Sequence, residues 1–164
     1  MKNFLIRTSL GLLTLALVTS CSINWKETVV SSPYTQDNLL VEISSLERKY
    51  NREDPIWIEF SITNTGDEKV KVNRIQSPLE GKFTQDYFDI RRRNNQVYYT
   101  GRRLNKRRAI LTPTLTLEPG ERVVACVDVS QVYTIDEGGK YQVQFMGSDL
   151  NHLPDSEEIE IKVK

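Results

Sequence analysis

Reactive side chains are sparse: of two cysteines only Cys126 falls within a patterned segment, and His152 is the chain's one imidazole. A thiol becomes a nucleophile when a base lies beside it, and no motif links Cys126 to His152. Cys126 also falls out of phase with Val123, Ala125, Val127 and Val129, so it should face away from that apolar row. One histidine makes no metal site. Asp149, Asp155, Glu157 and Glu158 carry the oxygen ligands calcium takes, but their spacing matches no calcium loop. The sequence therefore implies no catalytic residue, metal or cofactor. What it concentrates is positive charge: Arg91, Arg92, Arg93, Arg102, Arg103, Lys106, Arg107 and Arg108, with no acid between Asp89 and Glu118. Guanidinium pairs bidentately with carboxylate and phosphate, so this run could dock an acidic partner, an anionic lipid headgroup or lipopolysaccharide phosphate. It could equally be a solvated strand face whose charge keeps a sheet edge from aggregating.

A second candidate contact is the loop Ser77-Pro78-Leu79-Glu80-Gly81. Proline stiffens it, and Gly81 can adopt positive φ. Leu79, with Glu80 beside it, either projects into a partner's cleft or folds back to cap one end of the domain.

Cys21 closes a different pattern. Lys2 and Arg7 precede the apolar run Leu10–Val18, and residues 1–20 contain no acid. This is the layout of a secretory signal. The run is about half of the roughly 20 apolar residues a membrane-spanning helix needs. Its leucines surround the helix axis, which argues against a buried amphipathic helix. Val18-Thr19-Ser20-Cys21 looks like the bacterial lipobox, whose cysteine sulfur receives a diacylglycerol. Each buried methylene contributes about 0.8 kcal/mol, so two or three acyl chains such as palmitate give a stable anchor. Ser22 in place of an aspartate resembles the sorting signal for the outer membrane. Residues 22–37, rich in Ser, Thr and Pro, read as a tether with a reach of about 20–25 Å.

Cleavage before Cys21 removes 20 of 164 residues, leaving 144, and two of the 22 basic residues against none of the 22 acidic ones. The remainder is one domain of ordinary size. Its net charge of minus two suggests no nucleic-acid partner. With Cys21 acylated, Cys126 has no intrachain disulfide partner, so packing must hold the fold.

The elements that position these residues have a period of two. Leu39, Val41 and Ile43 alternate with polar neighbours, as do Ile56, Ile58, Phe60 and Ile62. TNTGDE at 63–68 turns the chain into Val70 and Val72. Strands follow at Tyr87–Arg92 and Val97–Thr100, joined through Asn94-Asn95. Leu115–Leu117 leads through Glu118-Pro119-Gly120 to Val123–Val129. Residues 130–136 allow one helical turn, Gly138-Gly139 opens the strand bearing Tyr141, Val143 and Phe145, and Ile159, Ile161 and Val163 close the chain. Seven or eight short strands predict an all-β, antiparallel immunoglobulin-like sandwich over residues 38–164, with a barrel as the competitor.

Four segments resemble the non-catalytic N-terminal, propeptide-side region of deuterolysin-type and peptidyl-Lys metalloendopeptidases. They are FSITNTGDEKVKV at 60–72, SPLEG at 77–81, YTGRRLNKR at 99–107, and LEPGERVVACVDVSQVY at 117–133 leading into GKYQVQF. Those peptidases bind zinc through His-Glu-x-x-His, which a chain with one histidine cannot contain. The resemblance thus implies the accessory domain standing alone: a non-catalytic binding module of the cell envelope, acting as inhibitor or partner of a peptidase. The alternative is a structural or adhesive surface lipoprotein that binds anionic envelope components through its arginines.

Overall fold

The computed structural model describes residues 38–103 and 114–164. The expected signal segment, Cys21, the tether, and Lys106, Arg107 and Arg108 of the basic run lie outside the described residues. Among the described residues the strands are β1 (Leu39–Ser45), β2 (Lys49–Tyr50), β3 (Trp57–Asn64), β4 (Val70–Asn73) and β5 (Phe88–Arg92). They continue with β6 (Asn95–Gln96), β7 (Thr114–Leu117), β8 (Arg122–Asp128), β9 (Gly139–Phe145) and β10 (Ile159–Val163). Short 3-10 turns lie at Pro78–Glu80 and Val129–Gln131.

One sheet has the order β1-β3-β8, a second β2-β10-β9-β5-β6, and β4 pairs with β7 as a separate ribbon. All pairings are antiparallel except the two-residue pairing of β2 with β10. The alternation in sequence explains the layers. Val41 and Ile43 of β1, Ile58, Phe60 and Ile62 of β3, and Ala125 and Val127 of β8 are buried, and Tyr141, Val143, Phe145, Ile161 and Val163 answer from β9 and β10. The layers meet where the Phe60 ring stands edge-on to Phe145, with centroids 4.7 Å apart. Each such side chain contributes roughly 1.5–3 kcal/mol by leaving water, and edge-to-face geometry adds about 0.5–1.5 kcal/mol. The protein is an all-β, immunoglobulin-like sandwich.

Two local expectations shift. The β5–β6 hairpin turns through Arg93 and Asn94, with φ of 49° and 67°, and not through Asn94-Asn95. The hairpin pairs Arg91 with Gln96 and Arg92 with Asn95, which leaves two residues for the turn. The expected strand Val97–Thr100 is not a strand: β6 ends at Gln96, and the next residues leave the sheet to run beside 132–134.

Two turns are tied into one knot. Asn64 is buried; its carboxamide donates to Leu117 O at 3.1 Å and Glu68 O at 2.7 Å and accepts from Gly66 N–H at 3.0 Å. Its backbone N–H donates to Glu121 O, and its carbonyl accepts from Gly120 N–H. TNTGDE and LEPGE are thus one structural unit in which buried polar groups satisfy each other.

Candidate functional site

Leu79 is 1% exposed and packs in the core as part of the Pro78–Glu80 turn, so of its two expected readings the folded-back one holds, and its candidacy as a side chain projecting to a partner is corrected. Ser77 Oγ accepts from Leu79 N–H, and Gly81 ends the turn at φ 70°. Glu80 is engaged inside the chain: its carboxylate accepts from Gln76 N–H at 2.9 Å and from the Thr84 hydroxyl. The amphipathic order Pro-Leu-Glu gives no signal separating a capping leucine from a docking one. Its burial is a tertiary fact.

The basic run is less basic in space than in sequence. Arg91 pairs with Asp89, Arg92 with Glu137, and Arg103 with Asp86 at 3.2 Å. All three acids lie outside the run, Asp86 and Asp89 at its N-terminal side and Glu137 across the fold. Arg93 and Arg102 are exposed. Exposed pairs of this kind add little to stability, but they lower the positive potential that an anionic surface would meet. Cys126 lies opposite Glu59 in the β3–β8 register, between buried Ala125 and Val127, and so faces out of the sandwich. Among the described residues no group of three or more His, Cys, Asp or Glu side chains could hold a metal ion.

What the fold does bring together is a surface strip where residues 97–103 run along 132–137. Backbone bonds fix it: Val97 N–H donates to Ile90 O at 2.7 Å, Thr134 N–H to Tyr98 O at 3.1 Å, and Thr100 N–H to Val132 O at 2.7 Å. Tyr99 forms an isolated bridge with Tyr133. At one end of the strip, the Tyr99 ring stands edge-on to Tyr133 at 5.2 Å. The Arg103 guanidinium lies 5.6 Å from the Tyr99 centroid, within range of a cation–π contact. Tyr99 Oη donates to Arg102 O at 2.8 Å, and the ring fills the space a side chain at Gly101 would need, since a Cβ there would lie 2.5 Å from Tyr99 Oη.

Tyr133 links the strip to the core. Its hydroxyl accepts from Phe88 N–H at 3.0 Å and donates to Asp86 Oδ1 at 2.9 Å. Burial pushes its phenol well above the ordinary range, and the Asp86 charge adds to the shift. Tyr99 is raised by burial and by Asp86, with Arg103 opposing. Asp86 therefore accepts from a neutral hydroxyl on one oxygen and faces a guanidinium on the other, which holds Arg103 over the ring.

At the other end of the strip, Arg92 donates to Gly138 O at 2.9 Å besides pairing with Glu137. Tyr141 Oη donates to Glu137 O at 2.6 Å. Between Asn95, Gln96 and Tyr98 on one side and Thr134, Asp136 and Glu137 on the other lies a groove of about 200 Å³. The sequence marked Arg102 and Arg103 but missed Tyr98, Tyr99, Asp86 and Tyr133. The adjacent pair Tyr98-Tyr99 between two groups of arginines was the available signal; Tyr133 carried none.

No protein-family model and no curated protein sequence matches the chain. Among solved structures it is similar to the CARDB domain of a Pyrococcus furiosus protein, at 15% identity over 77% of this chain and 94% of that one, with a TM-score of 0.39. It is also similar to a β-glucosidase from Listeria innocua, at 16% identity and a TM-score of 0.41, over 77% of this chain but 16% of the enzyme. A β-glucosidase from Erythrobacter marinus gives 14% identity and 0.39, over 77% of this chain and 15% of the enzyme. Likenesses this remote carry no functional argument.

Proposed function

We propose that this chain is a lipid-anchored, non-catalytic binding module of the bacterial cell envelope, held through Cys21 at the outer membrane. Its partner is a metalloendopeptidase of the deuterolysin type, which it inhibits or accompanies through the strip around Tyr99, Arg102 and Arg103. The observation that carries this reading is where the four resembling segments fall. TNTGDE, LEPGE and SPLEG supply turns and buried caps, whereas Tyr99-Thr100-Gly101-Arg102-Arg103 meets Val132 and Tyr133, the end of the 117–133 segment, in the strip. A shared scaffold accounts for the turns and caps, and a shared partner would be met where these two segments adjoin. Docking of anionic envelope components by the basic run has less support, because Arg91, Arg92 and Arg103 already face carboxylates.

Mixing the full-length chain, purified in detergent, with a deuterolysin-type peptidase and with an unrelated serine peptidase tests the partner. A stable complex and slowed hydrolysis with the first alone are expected, and neither complex nor inhibition would sink the reading. Anchoring is tested separately by growing producing cells with labelled palmitate. Label should enter the wild-type chain and be lost in Cys21→Ser; label retained in that variant contradicts the anchor.

A further inference from the structure

We propose that the groove between Asn95–Tyr98 and Thr134–Glu137 is a saccharide-binding subsite that lays one neutral pyranose ring across the face of Tyr98. Tyr98 is 81% exposed, the most exposed large apolar side chain among the described residues. Its backbone is nonetheless pinned, with the carbonyl accepting from Thr134 N–H and the flanking Val97 and Thr100 N–H groups both engaged. A tyrosine ring has two side-chain torsions, so on a fixed backbone it loses little entropy when something packs on it.

The lining beside that ring selects the ligand class. Asn95 and Gln96 carboxamides each donate and accept, the Thr134 hydroxyl does both, and Asp136 and Glu137 accept. A pyranose has the complementary make-up: hydroxyls around its rim that donate and accept, and a C–H face that packs on an aromatic ring. The volume of about 200 Å³ is below the roughly 300–1,000 Å³ typical of drug-sized sites, which suits one ring of a longer glycan. An anionic ligand would meet Asp136 and Glu137, while Arg92 is already engaged by Glu137 and Gly138 O. An apolar peptide anchor would find Val97 as the one aliphatic side chain in the lining. This subsite does not depend on the peptidase reading, since it lies at the other end of the strip from Arg103.

The experiment is saturation-transfer NMR on the full-length chain in a sugar-free detergent, with maltose, cellobiose and N,N′-diacetylchitobiose each at millimolar concentration. At least one disaccharide should receive saturation concentrated on the C–H protons of a single ring. Tyr98→Ala should weaken that binding by roughly tenfold or more with an unchanged melting temperature, and Gln96→Ala by a smaller factor. Absence of binding by all three sugars, or binding undiminished in Tyr98→Ala, overturns the proposal. So does Tyr98-dependent capture of members of a random peptide library without any sugar binding.

Discussion

The turn knot and the surface strip are both rich in polar side chains, yet they use them in opposite ways. In the knot, Asn64 directs its carboxamide and both backbone groups at neighbouring chain. Asp128 does the same at the end of β8: one oxygen accepts from Ile56 N–H, Ser130 N–H and the Ser130 hydroxyl, the other from Gln131. Nothing is left to offer a partner. In the strip the backbone is equally well bonded, but Tyr98, Arg102, Arg103, Thr134 and Asp136 remain exposed. A rigid backbone with open side chains is what pre-organised recognition requires. Polar residues in a motif are therefore evidence of binding only after the fold's own demands on them are met.

That contrast breaks most visibly at Leu79. Leu79→Asp places a carboxylate at a site 1% exposed, and should cost about 3–5 kcal/mol or abolish folding. Thermal unfolding followed by circular dichroism measures it; a normally folded variant that loses partner binding would return Leu79 to the surface. Asp128→Ala strands the buried Ile56 N–H and removes three partly buried bonds to Ser130 and Gln131, and should cost about 2–4 kcal/mol in denaturant unfolding. A loss below about 0.5 kcal/mol would mean the carboxylate was not holding β8 to the start of β3.

A third test is alkaline. Burial raises the Tyr87 and Tyr133 phenols above their unfolded value. The folded state therefore keeps protons that the unfolded chain gives up, and stability is complete below pH about 10 and falls above it. The slope should approach 1.4 kcal/mol per pH unit for each tyrosine. Tyr133→Phe should remove its share of that slope, and an identical alkaline slope in the variant would deny the linkage. The smallest effect on stability is expected in the strip. Gly101→Ala pushes only the far end of the Tyr99 side chain, so it should change stability by less than about 1 kcal/mol while displacing the ring and weakening the proposed peptidase binding. Intact binding would remove Tyr99 from the contact.

Most of the sandwich was legible because half-buried strands force a period of two. The inward rows Val41/Ile43, Ile58/Phe60/Ile62 and Tyr141/Val143/Phe145 stand where alternation put them. The two-residue strands β2 and β6 were not, since they exist only through partners β10 and β5. The basic run was legible as charge but not as potential: Glu137 and Asp86 reach Arg92 and Arg103 only after the chain folds. The strip was missed for the same reason. Tyr99 and Tyr133 are 34 positions apart and meet through a single bridge.

The central claim, that a protein partner is recognised at the strip, is most directly tested by placing a photo-crosslinking amino acid at the exposed position 100, beside Tyr99, and separately at the exposed position 46, in the full-length chain in living cells. Adducts from position 100 and none from position 46 are predicted. Equal adducts from both positions, or adducts from position 46 alone, would contradict it.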